Sequence, residues 1–333
     1  MKLNDDSRLC AYKLGATIRG MERPEVSVVM AVYNGDAALR GTLESVLAQE
    51  GCDFEVVVVD DGSSDACAKL LDQWAARERR LHVVHQENQG LTRALIRGCR
   101  EARGAYIARQ DAGDISLPGR LATQATMLRE DDALGFVSCE HVLVGPGSEP
   151  LGSEREQASQ RGLPGRDGAM LPGPAHGTVM FRKSMYDAVG GYRSEFYFAQ
   201  DADLWSRLIE HSHFAYVPGV LYEMTFSLSG ITARNRVEQE ELRSIIEQCA
   251  AARRAGLSEA DLLQRAAQIR PRPAERKAGE RSRGAAAAYF VGSCLAQRED
   301  RRASKYLLQA VRLNPLHLKG WYKLLRLSLA GRA

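Results

Sequence analysis

The sequence predicts an α/β fold: a doubly wound, mostly parallel sheet followed by a C-terminal helical extension. Two patterns carry that expectation. Short apolar runs at Val26–Val32, Val56–Val59, Leu81–His85 and Ala105–Ala108 alternate with amphipathic stretches. Runs that apolar and β-branched suit strands buried on both faces, as in a parallel sheet covered by helices. The connections between them are short, which favours right-handed βαβ units. Beyond about residue 235 the composition shifts to Ala, Arg and Glu, the texture of helices.

Each element has its own local reason. Val26–Val32 ends in Tyr33-Asn34-Gly35, a turn signal, and Leu39, Leu43, Val46 and Leu47 then recur at helical spacing. The run Phe54–Ser64 reads FEVVVVDDGSS, four valines stopping at two carboxylates and a glycine turn. A helix follows over Asp65–Ala76, then the strand Leu81–His85, then a helix from Leu91 that Gly104 closes. The fourth strand, Ala105–Ala108, runs into Arg109-Gln110-Asp111-Ala112-Gly113-Asp114. Pro118 opens a helix over Leu121–Leu128, and Gly135–Cys139 resumes the sheet. Residues 145–174, rich in glycine and proline, predict a long mobile loop. A His-Gly turn, a strand at Thr178–Phe181 and a short helix closed by Gly190-Gly191 come next, before a helix that starts at Asp201.

Composition narrows the class. A chain of 333 residues is long enough for one large domain or two smaller ones, and 44% hydrophobic with 26% charged residues is ordinary for a soluble protein. A net charge of +3 is too small over this length to argue for nucleic acid. Seven scattered cysteines without CxxC pairing argue against a disulfide framework or a zinc site and suit a reducing cytoplasm. The start, MKLNDDSRLC, carries acids and no apolar core, unlike a signal peptide. No apolar run approaches the roughly 18 residues needed to cross a bilayer. The expected organisation is an extension over 1–24, a main domain over 25–235, a helical segment and charged linker over 236–284, and C-terminal helices over 285–333.

Three separated Asp-bearing ends should meet at one edge of the sheet: Asp60/Asp61, Asp111/Asp114 and Asp201/Asp203. Crowded carboxylates repel, so gathering them calls for a cation. Hard divalent ions such as Mg²⁺ or Mn²⁺ take oxygen ligands and bridge to substrate phosphates. The first strand is not followed by GxGxxG, which argues against a dinucleotide cofactor.

In chain order, PEVSVVMAVYNG, VVVVDDGSSD, ENQGL, YIARQDAGDISLPGRL, HGTVMFRK…GGYR and QDADLWSRL resemble the motifs of family 2 glycosyltransferases of the GT-A fold, over about residues 24–235. The resemblance implies an inverting transferase that moves a sugar from a UDP-, GDP- or dTDP-sugar to a glycan or lipid-linked acceptor of bacterial surface polysaccharide. By the same resemblance, Tyr33 packs on the donor's base and Asp60 and Asp61 contact base and ribose. Asp111 belongs to the DxD element that holds the diphosphate through Mg²⁺ or Mn²⁺, and Asp201 is the general base. The sequence departs from the pattern at Gly113, the third DxD position, which leaves two alternatives: Asp114 substitutes as a metal ligand, or Asp111 alone holds the ion. Arg93, Arg97 and Arg109 are the candidates for a donor-phosphate cation, and His176 and Asp203 lie on the acceptor side.

Two rival classes remain open on sequence. A sugar-1-phosphate nucleotidyltransferase would share the sheet but would carry a basic phosphate loop after the first strand, and Ala31–Asp36 contains no basic residue. A catalytically weak scaffold would use the C-terminal helices as an adaptor. In those helices Ala303, Tyr306, Ala310 and Pro315 loosely resemble one tetratricopeptide unit, which cannot bury its own face. Basic residues interleave there with Leu, Trp and Tyr, a pattern suited either to solvent or to the cytoplasmic face of an anionic inner membrane.

Overall fold

The computed structural model describes residues 23–153, 173–226, 235–271 and 277–330. Nearly all of the N-terminal extension, most of the glycine- and proline-rich loop and part of the charged linker lie outside them.

The expected alternation is present. Strands β1 (Val26–Val32), β2 (Phe54–Asp60), β3 (Leu81–His85) and β4 (Tyr106–Asp111) alternate with helices α1 (Asp36–Leu47), α2 (Cys67–Ala75) and α3 (Leu91–Glu101). They pair in parallel in the order β3-β2-β1-β4. Side-chain alternation divides the core between the two faces. Val28, Met30 and Val56 pack with Leu39 and Leu43 of α1, whereas Val29 and Ile107 pack with Leu95 and Cys99 of α3. Gly98 lets α3 approach closely: a Cβ there would lie 2.7 Å from Val29 Cγ1.

The second half of the sheet is mixed. After a short β5 (Ile115–Ser116) and α4 (Arg120–Glu130) come β6 (Leu134–Val144), β7 (Pro150–Ser153), β8 (Val179–Arg182), α5 (Lys183–Ala188), α6 (Gln200–His211) and β9 (His213–Thr225). Strand β8 runs antiparallel between β4 and β6, and β9 runs parallel beside β6. Three of these elements escape a reading by periodicity. β5 is two residues long, and β7 lies inside the stretch expected to be loop. β9 is interrupted by Pro218-Gly219, where the register against β6 jumps from Val217↔Cys139 to Val220↔Glu140 and Gly219 takes a φ of 96°. A proline cannot donate to the ladder, so the strand bulges around it.

Five more helices complete the described chain: α7 (Arg236–Arg254), α8 (Ala260–Gln268), α9 (Lys277–Gln297), α10 (Ala303–Leu313) and α11 (Leu318–Ala330). Helix α9 begins well before the expected Ala285, within the second half of the charged stretch. Leu242, Ile245 and Ile246 of α7 bury Phe196 and Phe198 of the segment that leads into α6. Val291 and Leu295 of α9, with Tyr306 of α10, cover Leu151 of β7. The Tyr306 hydroxyl also donates to the buried Glu149 carboxylate at 2.7 Å. The C-terminal helices therefore dock on the far half of the sheet.

Candidate active site

Strand register places the first acids. Val32 is paired with Asp60, Asp60 with His85, and Ala31 with Asp111, so Asp60 and Asp111 finish strands on either side of β1 at one edge. At about 4.8 Å between neighbouring strands, they stand roughly 10 Å apart. This is the carboxyl edge at which open α/β sheets bind ligands.

The two acids of the DD pair both brace loops. Asp60 accepts the Ser63 N–H at 3.0 Å and pairs with His85 Nδ1 at 2.9 Å. Burial pushes its pKa up, but those bonds outweigh it and hold the carboxyl below its usual range. His85 also reaches Asp72 at 3.1 Å, and the bond to Asp60 raises its pKa despite some burial. Asp61 accepts from Gln86 Nε2 at 2.7 Å, Gln89 N–H at 2.9 Å and Gly90 N–H at 2.8 Å, which shapes the turn into α3. Tyr33 stands out from the same edge, 55% exposed. Next to it, Asn34 ties the first turn to the second by accepting the Ser64 N–H at 2.7 Å.

Asp111 sits at the centre of a connected line of polar groups. Its backbone N–H donates to the Tyr222 hydroxyl at 3.2 Å, and its Oδ1 accepts from Arg109 Nη2 at 2.6 Å. Arg109 also donates through Nε to His176 Nε2 at 3.1 Å, and Tyr192 Oη lies 2.6 Å from that same nitrogen. Burial and the Arg109 charge drive the His176 pKa far down, so its imidazole is neutral and accepts through Nε2. Gly177 makes room for this convergence, since a Cβ there would fall 2.3 Å from Tyr222 Oη and 3.0 Å from Asp111 Oδ2.

Asp201 approaches from the other side, in the first turn of α6. The preceding Ala199 holds a left-handed φ of 55°, a conformation that costs a non-glycine residue free energy and tends to mark functional turns. Burial raises the Asp201 pKa, and the Asp111 charge pushes it the same way. Nearby backbone N–H groups and Arg243 of α7 act in the opposite sense. Asp201 therefore lies within reach of the Asp111 charge.

Several expected site residues stand elsewhere. Arg109 is fully buried and spends its guanidinium on Asp111, His176 and the carbonyls of Val29 and Gln110, leaving no free edge for a phosphate. Arg93 is exposed near the start of α3, and Arg97 pairs with Glu101 at 2.8 Å. Asp203 does not open onto the acceptor side. It is fully buried between Arg193 and Arg207, the latter at 2.6 Å, and Arg193 continues to Glu259, just before α8, at 3.1 Å. Asp203→Asn is expected to lower unfolding free energy by about 2–3 kcal/mol, because the buried Arg207 and the partly buried Arg193 lose a charged acceptor. The acceptor KM of the folded fraction should not change; denaturant melts and steady-state kinetics check the two halves.

Asp114 is also engaged. Tyr222 Oη donates to its Oδ2 at 2.9 Å and the Thr225 N–H to its Oδ1 at 2.8 Å. Burial, with Asp111 adding to it, raises the Asp114 pKa well above the carboxylate range. A buried carboxyl whose two oxygens both already accept hydrogen bonds is a poor metal ligand. Gly113 takes a φ of 103°, which lets the chain turn and bury Asp114. Among the described residues no three His, Cys, Asp or Glu side chains gather as a metal site. Mg²⁺-type ions are commonly held by one or two carboxylates together with substrate phosphates. Asp111, about 40% exposed and with only Oδ1 engaged, fits that donor set.

Three residues that organise the site went unassigned in the sequence: Arg120, Gln110 and Tyr222. The fully buried Arg120 donates to the carbonyls of Arg109 and Gly177, each at 2.7 Å, and to Gln110 Oε1 at 3.0 Å, and it lies over the Tyr222 ring. The one signal was an arginine in the first turn of a helix, just after Pro118-Gly119.

A family profile described as Glycosyl transferase family 2 matches residues 27–190. The chain is 33% identical over 201 residues to "Putative glycosyltransferase EpsE" of Bacillus subtilis (strain 168), a match covering 58% of this chain and 69% of that relative. It is 28% identical over 190 residues to "O-antigen biosynthesis glycosyltransferase WbnJ" of Escherichia coli, covering 55% of this chain and 71% of the relative. Among solved structures, the mannosyltransferase PcManGT from Pyrobaculum calidifontis, in complex with GDP-Man and Mn2+, superposes with a TM-score of 0.56 at 19% identity. That superposition covers 93% of this chain and 86% of the other, and it identifies the fold as GT-A.

Proposed function

Because this chain belongs to glycosyl transferase family 2, we propose that it transfers one sugar, with inversion, from a nucleotide-diphosphate-sugar to a glycan or lipid-linked acceptor of surface polysaccharide. The observation that supports the reading is Asp111 at the carboxyl edge of the sheet with only its Oδ1 engaged, and Asp201, ninety positions away in the chain, within reach of its charge. In this reading Asp201 removes the proton from the acceptor hydroxyl as its oxygen attacks the anomeric carbon, and the bond to the departing diphosphate oxygen breaks. A hydroxyl is a poor nucleophile, and a placed base contributes about 10²–10⁴-fold. One base and direct attack invert the anomeric centre, unlike the two-carboxylate retaining route of glycosidases.

Asp111 would hold Mg²⁺ or Mn²⁺ together with the donor diphosphate. When bound, the ion offsets negative charge on the leaving group. In this reading the exposed ring of Tyr33 stacks on the base, and the exposed Arg93 is the candidate cation for the phosphates. On the same reading Asp60 and Asp61 contact the base and ribose, and their bonds to Ser63, Gln89 and Gly90 hold the turns around them. GDP-Man bound to the superposed mannosyltransferase supports a nucleotide-sugar donor.

The test is a panel of UDP-, GDP- and dTDP-sugars, with and without Mn²⁺, read by nucleoside diphosphate release and by thermal shift. One donor class should be hydrolysed slowly without acceptor and should raise Tm by mass action. Neither binding nor turnover under any condition would refute the transferase reading and favour a scaffold.

A further inference from the structure

Helix α11 carries an apolar ridge that nothing among the described residues covers. Leu318, Trp321, Tyr322, Leu325 and Leu329 are each at least half exposed, and Leu316 just before the helix is 85% exposed. At 100° per residue these positions fall on one side of α11. The opposite side holds the buried Gly320 and Leu327, which packs on the cluster around Val291 and Tyr306. The docked face and the bare face are thus distinct, and burying the first does not account for the second.

Charge says what the bare face fits. From Arg301 to Ala333 the sequence contains no Asp or Glu, whereas Lys319 and Arg326, both exposed, line one side of the ridge. Two copies meeting ridge to ridge would set basic flanks against basic flanks with no acid from this segment to offset them. A convex ridge of Leu with one Trp and one Tyr, edged by cations, has the composition of a helix lying in a bilayer interface. No helix among the described residues is long and apolar enough to cross a membrane, so the contact would be peripheral.

We infer that α11 docks the protein flat on an anionic phospholipid surface, with Trp321 and its leucine neighbours in the acyl boundary and Lys319 and Arg326 at the headgroups. The inference does not depend on the transferase reading, and its test leaves donor turnover as an independent readout. The full-length protein is floated with vesicles of pure phosphatidylcholine and of three parts phosphatidylcholine to one part phosphatidylglycerol. Binding to the anionic vesicles is expected to exceed binding to the neutral ones by about tenfold or more and to weaken with salt. Trp321→Glu/Leu325→Glu and, separately, Lys319→Glu/Arg326→Glu should each reduce it about tenfold or more, with circular dichroism and thermal melts unchanged because all four side chains are exposed. Equal binding to both vesicle types, no binding to either, or wild-type binding by both variants would overturn the inference. So would a dimer in sedimentation equilibrium that Trp321→Glu/Leu325→Glu dissociates, since the ridge would then join two copies.

Discussion

Asp201→Asn is expected to lower kcat by about 10²–10⁴-fold while leaving donor affinity close to wild type. The carboxylate is proposed to act only on the acceptor proton, so its loss should appear in the chemical step and not in ground-state binding of the nucleotide. The pH dependence follows from the raised pKa. The base works only when ionised, so the acid limb of kcat should lie above the ordinary carboxylate value of about 3.9. Stability runs the other way. An acid that binds its proton more tightly when folded destabilises the fold as pH rises from its unfolded pKa through its folded one. Asn carries no such penalty, so the variant should compare most favourably with wild type at neutral pH and lose that advantage near pH 4. Steady-state kinetics, donor titration and melts across pH test all three statements. An Asn variant that turns over like wild type would remove Asp201 from the base role.

Arg120→Met is expected to be the most destabilising single change, by about 3–5 kcal/mol. The guanidinium satisfies the carbonyls of Arg109 and Gly177, Gln110 Oε1, Ser116 Oγ and Gln124 Oε1, all within the core. Methionine fills similar space but strands those acceptors away from water, and partial relaxation keeps the loss below their simple sum. For a chain of this size Tm should fall by roughly 10 °C. Arg120→Lys should recover only part of it, because a point charge cannot reach acceptors spread around a planar fork. Calorimetry decides the matter, and a change below about 1 kcal/mol would show that the network adds little.

The fold was legible where periodicity and register agree. Val26–Val32 and the four valines before Asp60 specify central strands because nothing polar interrupts them, and helices such as α3 show their apolar faces directly. Strand β9 was hidden by Pro218-Gly219, which reads as a turn until β6 is seen to pair on both sides of the bulge. Strand β7 was hidden by the glycines and prolines around it, since only tertiary pairing with β6 makes it a strand. In the candidate site, motif spacing pointed to Asp111 and Asp201, and the Asp111 charge reaches Asp201. Spacing could not tell a solvent-facing acid from a buried one. Asp203 and Asp114 have the same local sequence appeal, yet one is enclosed by two arginines and the other by Tyr222 and the Thr225 N–H. Likewise Arg109 looks like a phosphate ligand until its burial beneath His176 is known.

The double grip on Asp111, by Tyr222 at its amide and by Arg109 at its carboxylate, bears on the thermodynamics of ligand capture. A side chain whose torsions are already fixed has almost no rotational freedom left to surrender when a ligand arrives. Replacing Tyr222 by Phe releases the amide and so loosens the backbone that carries this side chain. The change should therefore show up in titration calorimetry as a less favourable entropy of nucleotide-sugar association, even where the enthalpy is preserved.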